Sequence, residues 1–107
     1  MGLFGRKSRA RGARKGLKSD DPAGRHLREF FGSRRGVEGY VEPATHDTGT
    51  TLILIAFDGE WTRRAIDSPR VAFALGQELS MPVYDVSATG YPNRMREWSA
   101  QNKPPRL

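Results

Sequence analysis

The sequence predicts an α+β domain with about three helices and a small mixed sheet of four strands. A three-strand meander is expected, joined through a crossover helix to the fourth strand. Two dipeptides, Asp21-Pro22 and Ser68-Pro69, place proline directly after a capping residue, as at many helix starts. Between them, the apolar run Leu52–Phe57 is followed by Asp58-Gly59, a hairpin turn signal. Helical and strand patterns thus share one chain of 107 residues, a length typical of a single domain.

The first helix is predicted to begin at Pro22, with Asp21 as its N-cap, and to stop at Gly36. Its last turn would carry Arg34 and Arg35, where cations suit the helix dipole. Apolar residues recur at helical spacing on one face, which comprises Leu27, Phe30 and Phe31.

Three strands are predicted to follow as the meander: Val37–Glu42, Thr50–Phe57 and Glu60–Ile66. The second strand is apolar on both of its faces. Its alternating positions are Leu52 and Leu54 on one side and Ile53 and Ile55 on the other. A strand of this kind is expected at the centre of a sheet, or covered on both sides.

A second helix is predicted from Pro69 to Leu79, with Gly76 marking a close approach to the sheet. Its buried side is expected to comprise Val71, Ala72, Leu75 and Leu79. The fourth strand is predicted at Val83–Ser87, and a last short helix at Asn93–Gln101.

Positive charge is concentrated at the start of the chain. Residues 1–18 carry seven cations and no acid, residues 19–36 four cations and three acids, and residues 37–107 seven cations and nine acids. A glycine-rich, basic segment with few apolar groups cannot offset the entropy of ordering. The sequence therefore predicts a disordered basic tail at residues 1–20, a domain at residues 21–102 and a C-terminal tail at residues 103–107.

Several function classes lack the residues they need. The chain has no cysteine, which excludes a disulfide framework, a thiolate metal site and a cysteine nucleophile. No G-x-G-x-x-G motif follows a strand, as a dinucleotide site of the usual kind requires. The longest apolar run is too short to span a membrane, and no apolar segment of a secretory signal follows the basic start. We expect a cytoplasmic protein that is not an enzyme, with no cofactor, no metal site and no catalytic residues.

The arginine-rich tail matches a phosphate backbone, because the guanidinium fork pairs with phosphate oxygens. RNA is favoured over DNA, since no element is typical of a recognition helix and basic extensions often order on RNA. On the domain, arginines of the third strand and the last helix come nearest to a basic patch. The predicted nucleic-acid contacts are Arg6, Lys7, Arg9, Arg11, Arg14, Lys15, Lys18, Arg63, Arg64, Arg94 and Arg96. The sequence thus predicts a non-enzymatic accessory protein that binds RNA, on or near the ribosome.

Three alternatives stay open. Leu3 and Phe4 beside Arg6 and Lys7 are compatible with contact to an anionic membrane surface. A protein–protein adaptor with an incidental tail would have the same composition. A small enzyme with an unrecognised site is the third alternative.

Individual polar and aromatic residues are expected to have structural roles before functional ones. His26 stands among arginines and His46 in a polar loop, neither of which suggests a metal site. Asp85 would need an arginine partner if it is buried, or it lies on the wet face of its strand. Tyr40 and Trp61 are expected to pack in the core or at its edge, although aromatic residues on strands also stack on RNA bases.

The chain resembles a family of small, uncharacterised actinobacterial proteins in three blocks: LREFFGSRRGVEGYVEP, TTLILIAFDGEWTRRAI and MPVYDVSATGYPNRMREW. The resemblance covers roughly residues 26–98. Some members carry the label oxidoreductase without a described mechanism. The resemblance implies the same domain boundaries and no particular functional residue.

Overall fold

The computed structural model describes residues 21–103, in which a four-stranded mixed sheet is combined with four helices. The elements in chain order are α1 (Pro22–Ser33), β1 (Glu38–Glu42), β2 (Thr51–Ile55), β3 (Trp61–Ala65), α2 (Pro69–Leu79), β4 (Val83–Asp85), α3 (Val86–Thr89) and α4 (Asn93–Gln101). The predicted tail of residues 1–20 and residues 104–107 lie outside the described part. The predicted α+β class is confirmed.

The strands lie in the order β3-β2-β1-β4. β1, β2 and β3 form the predicted antiparallel meander. β4 runs parallel to β1, with Tyr84 opposite Tyr40. Since β3 and β4 occupy opposite edges, the connection through α2 passes from one edge of the sheet to the other.

Both faces of β2 are buried, as the sequence predicts. Leu52 and Leu54 belong to the larger core, which includes side chains of α1 and α2. Ile53 and Ile55 form a smaller cluster with Tyr40, against which part of the α4 region packs. All four aliphatic side chains of β2 are fully buried. The sheet is therefore the middle layer of three.

The start of α1 follows the prediction, and its end does not. The Asp21 carboxylate accepts a hydrogen bond from the backbone N–H of Ala23 at 2.9 Å, which caps the helix. The helix ends at Ser33, so the prediction of Arg34 and Arg35 in its last turn is wrong. The Ser33 hydroxyl donates to the Glu29 carbonyl at 2.7 Å, and this bond satisfies one of the terminal carbonyl groups.

The turn between β2 and β3 depends on Gly59. The Gly59 N–H donates to the carbonyl of Ala56 at 2.9 Å, and the Ala56 N–H donates to the carbonyl of Glu60 at 2.8 Å. Gly59 has φ of 97°, a backbone conformation that L side chains rarely adopt. A Cβ at this position would also lie 2.0 Å from the Arg94 carbonyl oxygen. The missing side chain thus allows α4 to pack directly on the hairpin.

The α2 helix has the predicted bounds. A Cβ on Gly76 would lie 2.6 Å from Cγ2 of Val83, so the glycine allows the predicted close approach to the sheet. After α2, β4 is shorter than the predicted Val83–Ser87. The Asp85 carboxylate accepts from the Ser87 N–H at 2.8 Å and the Ser87 hydroxyl at 2.7 Å, and this bonding begins α3. The sequence prediction missed this extra short helix.

Candidate nucleic-acid interface

The predicted basic contacts fall into two groups. The seven tail cations lie outside the described residues: Arg6, Lys7, Arg9, Arg11, Arg14, Lys15 and Lys18. The other four lie on two elements, Arg63 and Arg64 on β3 and Arg94 and Arg96 on α4. Residues next to each other on a strand point to opposite faces of the sheet. Arg63 therefore shares a face with Ile53, its partner in the register, and Arg64 shares the other face with Leu52.

Arg63 is held by an intramolecular ion pair. Its Nε and Nη2 atoms donate to the two carboxylate oxygens of Glu42 at 2.8 and 3.0 Å. The guanidinium also lies over the ring of Trp61, 5.2 Å from its centroid. Glu42 accepts two further hydrogen bonds, from the hydroxyls of Thr51 and Tyr91. Partial burial opposes ionisation of Glu42, but these bonds outweigh it and lower the carboxyl pKa.

Arg94 fastens α4 to the sheet. Its Nε donates to the carbonyl of Ala56 at 2.9 Å, and its Nη2 donates to the Glu38 carboxylate at 2.8 Å. Glu38 in turn accepts from the hydroxyl of Tyr40 at 3.0 Å. Burial, with this bond to Glu38, raises the pKa of Tyr40 to about 12. A phosphate at Arg94 would compete with a bonded carboxylate and with a buried carbonyl.

Arg64 and Arg96 have no carboxylate partner within residues 21–103. Arg64 donates to the carbonyl of Arg63 at 2.8 Å, and Arg96 donates to the side-chain oxygen of Asn93 at 3.1 Å. Both side chains are exposed. They lie on opposite sides of the sheet, because Arg64 is on the face of α1 and α2, whereas α4 covers the other face. The fold therefore does not gather the four predicted arginines into one patch.

The aromatic side chains of the sheet, which could alternatively have stacked on RNA bases, are largely covered. Tyr40, Trp61 and Tyr84 share the α4 face of the sheet, as their register shows. Tyr40 is buried, with its ring 5.3 Å from that of Tyr84. The Trp61 indole N–H donates to the Ser99 hydroxyl at 2.8 Å. Packing in the core or at its edge, which the sequence favoured for Tyr40 and Trp61, is the arrangement observed.

The titratable residues that the sequence singled out have local partners. The His26 ring lies 2.7 Å from the Thr62 hydroxyl and links α1 to β3. Burial, followed by the nearby charge of Arg64, lowers the pKa of His26. His46 is exposed in its loop, and Asp85 caps α3 instead of pairing with an arginine. Within residues 21–103, no group of three or more His, Cys, Asp or Glu side chains is placed to hold a metal ion.

One surface that the sequence reasoning missed lies between the end of α1 and the β2–β3 turn. It is an open cleft of about 420 Å³. Its lining residues are Ser33, Arg34, Arg35, Ala56, Phe57 and Asp58. The sequence placed Phe57 at the end of a buried strand and the two arginines inside a helix. A useful signal was the position of Phe57 directly before Asp58-Gly59, since a side chain at a turn has few neighbours to cover it.

No helix among residues 21–103 combines the length and the apolar character needed to cross a membrane. No protein-family model, no curated protein and no solved structure matches the chain.

Proposed function

We propose that this chain is a non-enzymatic accessory protein that binds RNA through its basic N-terminal tail, on or near the ribosome in the cytoplasm. The observation that carries the proposal is the separation of charge along the chain. Residues 1–18 hold seven cations and no acid, whereas residues 21–103 hold ten cations and eleven acids. A polyanion is the partner that such a tail fits best.

The ion pairs of the domain support the assignment of RNA binding to the tail. Four arginines, Arg28, Arg34, Arg63 and Arg94, each form a salt bridge of 2.7 to 2.8 Å with a glutamate. These cations are already paired within the domain. Residues 1–18 contain no acid, so no carboxylate within that segment competes with phosphate for its seven cations.

The direct test measures binding of a single-stranded RNA at several salt concentrations. With seven phosphates neutralised, the logarithm of the affinity should fall with the logarithm of the salt concentration with a slope of roughly −4 to −6. A chain without residues 1–18 should bind far more weakly and with a shallower slope. Equal affinity without the tail contradicts the proposal.

A matched control separates charge from sequence. A chain with residues 1–18 in scrambled order keeps all seven cations and should bind RNA as the parent does. A chain with those cations changed to glutamine should bind like the deletion. Duplex DNA and anionic lipid vesicles, tested in parallel, should bind less well than RNA. Sedimentation with ribosomes at low salt and release at high salt is the expected behaviour in an extract.

A protein–protein adaptor is the second candidate, and a cleft beside β4 favours it. This cleft has a volume of about 620 Å³ and is lined mainly by α2 and the segment that leads into β4. Phe73 on its wall is 45% exposed. A domain of residues 20–107 should then retain specific partners in a pull-down after nuclease treatment. Failure to retain any protein in the pull-down counts against the adaptor function.

A further inference from the structure

Phe57 projects from the β2–β3 turn as the most exposed large hydrophobic side chain in the described part of the chain. It is 71% exposed, compared with 45% for Phe73 and 38% for Tyr84. Its backbone is held in place, because its N–H donates to the carbonyl of Arg35 at 2.9 Å. Gly36 lies so close that a Cβ there would be 3.1 Å from Cβ of Phe57. The Phe57 backbone is therefore held by neighbouring residues, while its ring is largely exposed to solvent.

Arg35 lines the same cleft and keeps its charge available. Its side chain makes no hydrogen bond and no salt bridge within residues 21–103, whereas the neighbouring Arg34 pairs with Glu60 at 2.7 Å. Asp58 is the one acid among residues 21–103 that lines the cleft, and its carboxylate accepts a hydrogen bond from the Glu60 N–H at 3.0 Å. An exposed aromatic residue and an arginine with an unpaired side chain thus line the same cleft.

We propose that this cleft binds one nucleotide of single-stranded RNA, with its base stacked on Phe57 and its phosphate paired with Arg35. The inference rests on the proposed function and adds a contact on the domain to those of the tail. Single strands are the substrate class because their unpaired bases can stack on aromatic side chains, whereas duplex bases are stacked on each other. Base stacking on an aromatic ring together with an arginine on the phosphate is a general mode of binding single strands.

The position of the cleft suits a strand that is also held by the tail. The tail precedes the first residue of α1, and the cleft lies at the other end of this helix. The 12 residues of α1 span about 18 Å. One RNA strand of several nucleotides can bridge that distance, so tail and cleft would act on the same molecule and raise its affinity beyond that of either site.

The experiment uses the full chain and a single-stranded RNA that contains 2-aminopurine, whose fluorescence falls when the base stacks. Phe57→Ala should weaken binding by roughly 5- to 150-fold, leave the salt slope unchanged and abolish the quenching. Arg35→Gln should make the salt slope shallower by about 0.7. The matched controls, Phe73→Ala and Arg70→Gln on α2, should bind and quench as the parent does. All four side chains are exposed, and equal unfolding midpoints verify that the variants fold.

The outcomes separate this inference from the proposed function. If the parent binds with a steep salt slope that is lost with the tail, while Phe57→Ala and Phe73→Ala bind alike, the stacking site is overturned and the proposed function stands. If Phe57→Ala weakens duplex RNA as much as single-stranded RNA, stacking is likewise overturned. If the parent binds no RNA at any salt concentration, both proposals fail.

Discussion

Gly59 is the residue on which the contact between the β2–β3 turn and α4 depends. It combines a φ of 97° with a carbonyl oxygen of Arg94 where a Cβ would stand. A side chain here would meet rigid backbone, so neither the turn nor the helix could adjust without moving the other. The dipeptide Asp58-Gly59 is enough to predict the turn from the sequence. The close approach of α4 to Gly59 is visible only in the three-dimensional structure.

Replacement of Gly59 by alanine should therefore destabilise the domain by about 2–4 kcal/mol, since backbone strain adds to a steric clash. Gly32→Ala is the matched control, because nothing lies within 4 Å of a Cβ at that helical position. Alanine there should stabilise the domain by roughly 0.5–1 kcal/mol. Urea unfolding of both variants measures the difference. Equal effects of the two substitutions would contradict the packing of α4 on the turn.

His26 should make the stability of the domain sensitive to mild acid. Burial and the charge of Arg64 lower its pKa in the folded state. The unfolded chain then takes up a proton from about pH 6.5 downward, before the folded chain does. The stabilising contribution of neutral His26 is therefore complete above about pH 6.5 and is lost as the pH falls toward the lower folded value.

Thermal unfolding followed from neutral pH downward tests this expectation. His26→Gln, which retains a hydrogen-bonding side chain toward Thr62, should lose less stability over that window than the parent. His46→Gln removes an exposed loop histidine and should behave like the parent. The same acid sensitivity in the parent and in His26→Gln would show that other groups are responsible.

At the scale of elements, β2 is the strand on which both layers of helices depend. Ile53 lies on the α4 face and Leu54 on the face of α1 and α2, and both are fully buried. The smaller cluster on the α4 face is nevertheless made of only a few side chains: Tyr40, Ile53, Ile55, Trp61, Tyr91 and Met95. The contribution of this cluster to the stability of the domain depends on the packing of α4 against the sheet.

Ile53→Ala should cost about 2–5 kcal/mol of unfolding free energy, the usual range for a large-to-small change in a core. Leu54→Ala on the opposite face should cost a similar amount. Denaturant unfolding monitored by tryptophan fluorescence gives both values. A cost below about 1 kcal/mol for Ile53→Ala, beside a full cost for Leu54→Ala, would mean that α4 does not cover its face.

Two arginines of α4 that the sequence grouped together should differ in their effect on stability. Arg94 bonds the buried carbonyl of Ala56 and the Glu38 carboxylate, whereas Arg96 bonds Asn93 on its own helix. Arg94→Ala should cost about 1–3 kcal/mol, because the Ala56 carbonyl loses one of its two donors and the Glu38 carboxylate loses its charged partner. Arg96→Ala should change stability by less than about 0.5 kcal/mol. A comparison of the two unfolding midpoints settles whether Arg94 fastens α4.

At the scale of the whole molecule, the hydrophobic core and the positive charge occupy different parts of the chain. In the part of the chain that the structure describes, every buried residue of the two core clusters lies between Leu27 and Met81. Residues 1–18 hold seven cations and no acid, whereas residues 21–103 hold ten cations and eleven acids. Folding and polyanion binding would thus depend on separate segments, which allows each to be tested without the other.

Removal of residues 1–18 should leave the unfolding free energy of the domain within about 0.5 kcal/mol of the parent, because both core clusters of residues 21–103 are kept whole. The same variant should bind RNA far more weakly than the parent does. Chemical denaturation and the RNA titration measure the two effects on one preparation. A large loss of stability on removal of the tail would show that the tail packs on the domain, and it would weaken the case for a polyanion partner.

Local signals in the sequence were sufficient for much of the fold. Asp21-Pro22 and Ser68-Pro69 predicted the helix starts, because capping depends on neighbouring residues. The alternation in β2 predicted burial on both faces, since side-chain direction follows from strand geometry alone. The errors arose where side chains competed with the backbone. α1 ends at Ser33, whose hydroxyl donates to the Glu29 carbonyl, and the Asp85 carboxylate caps α3 within the predicted fourth strand.

The sequence by itself determined the α+β class, the two-sided central strand and the separation of charge between tail and domain, because composition and periodicity are properties of the chain. The tertiary structure decided which cations are already paired, since Arg63 and Arg94 find their glutamates across strands and helices distant in sequence. It also brought Arg35 beside Phe57, two residues that no sequence spacing relates. Contacts of this kind arise when elements pack, and for that reason the candidate stacking site could not be predicted from the sequence.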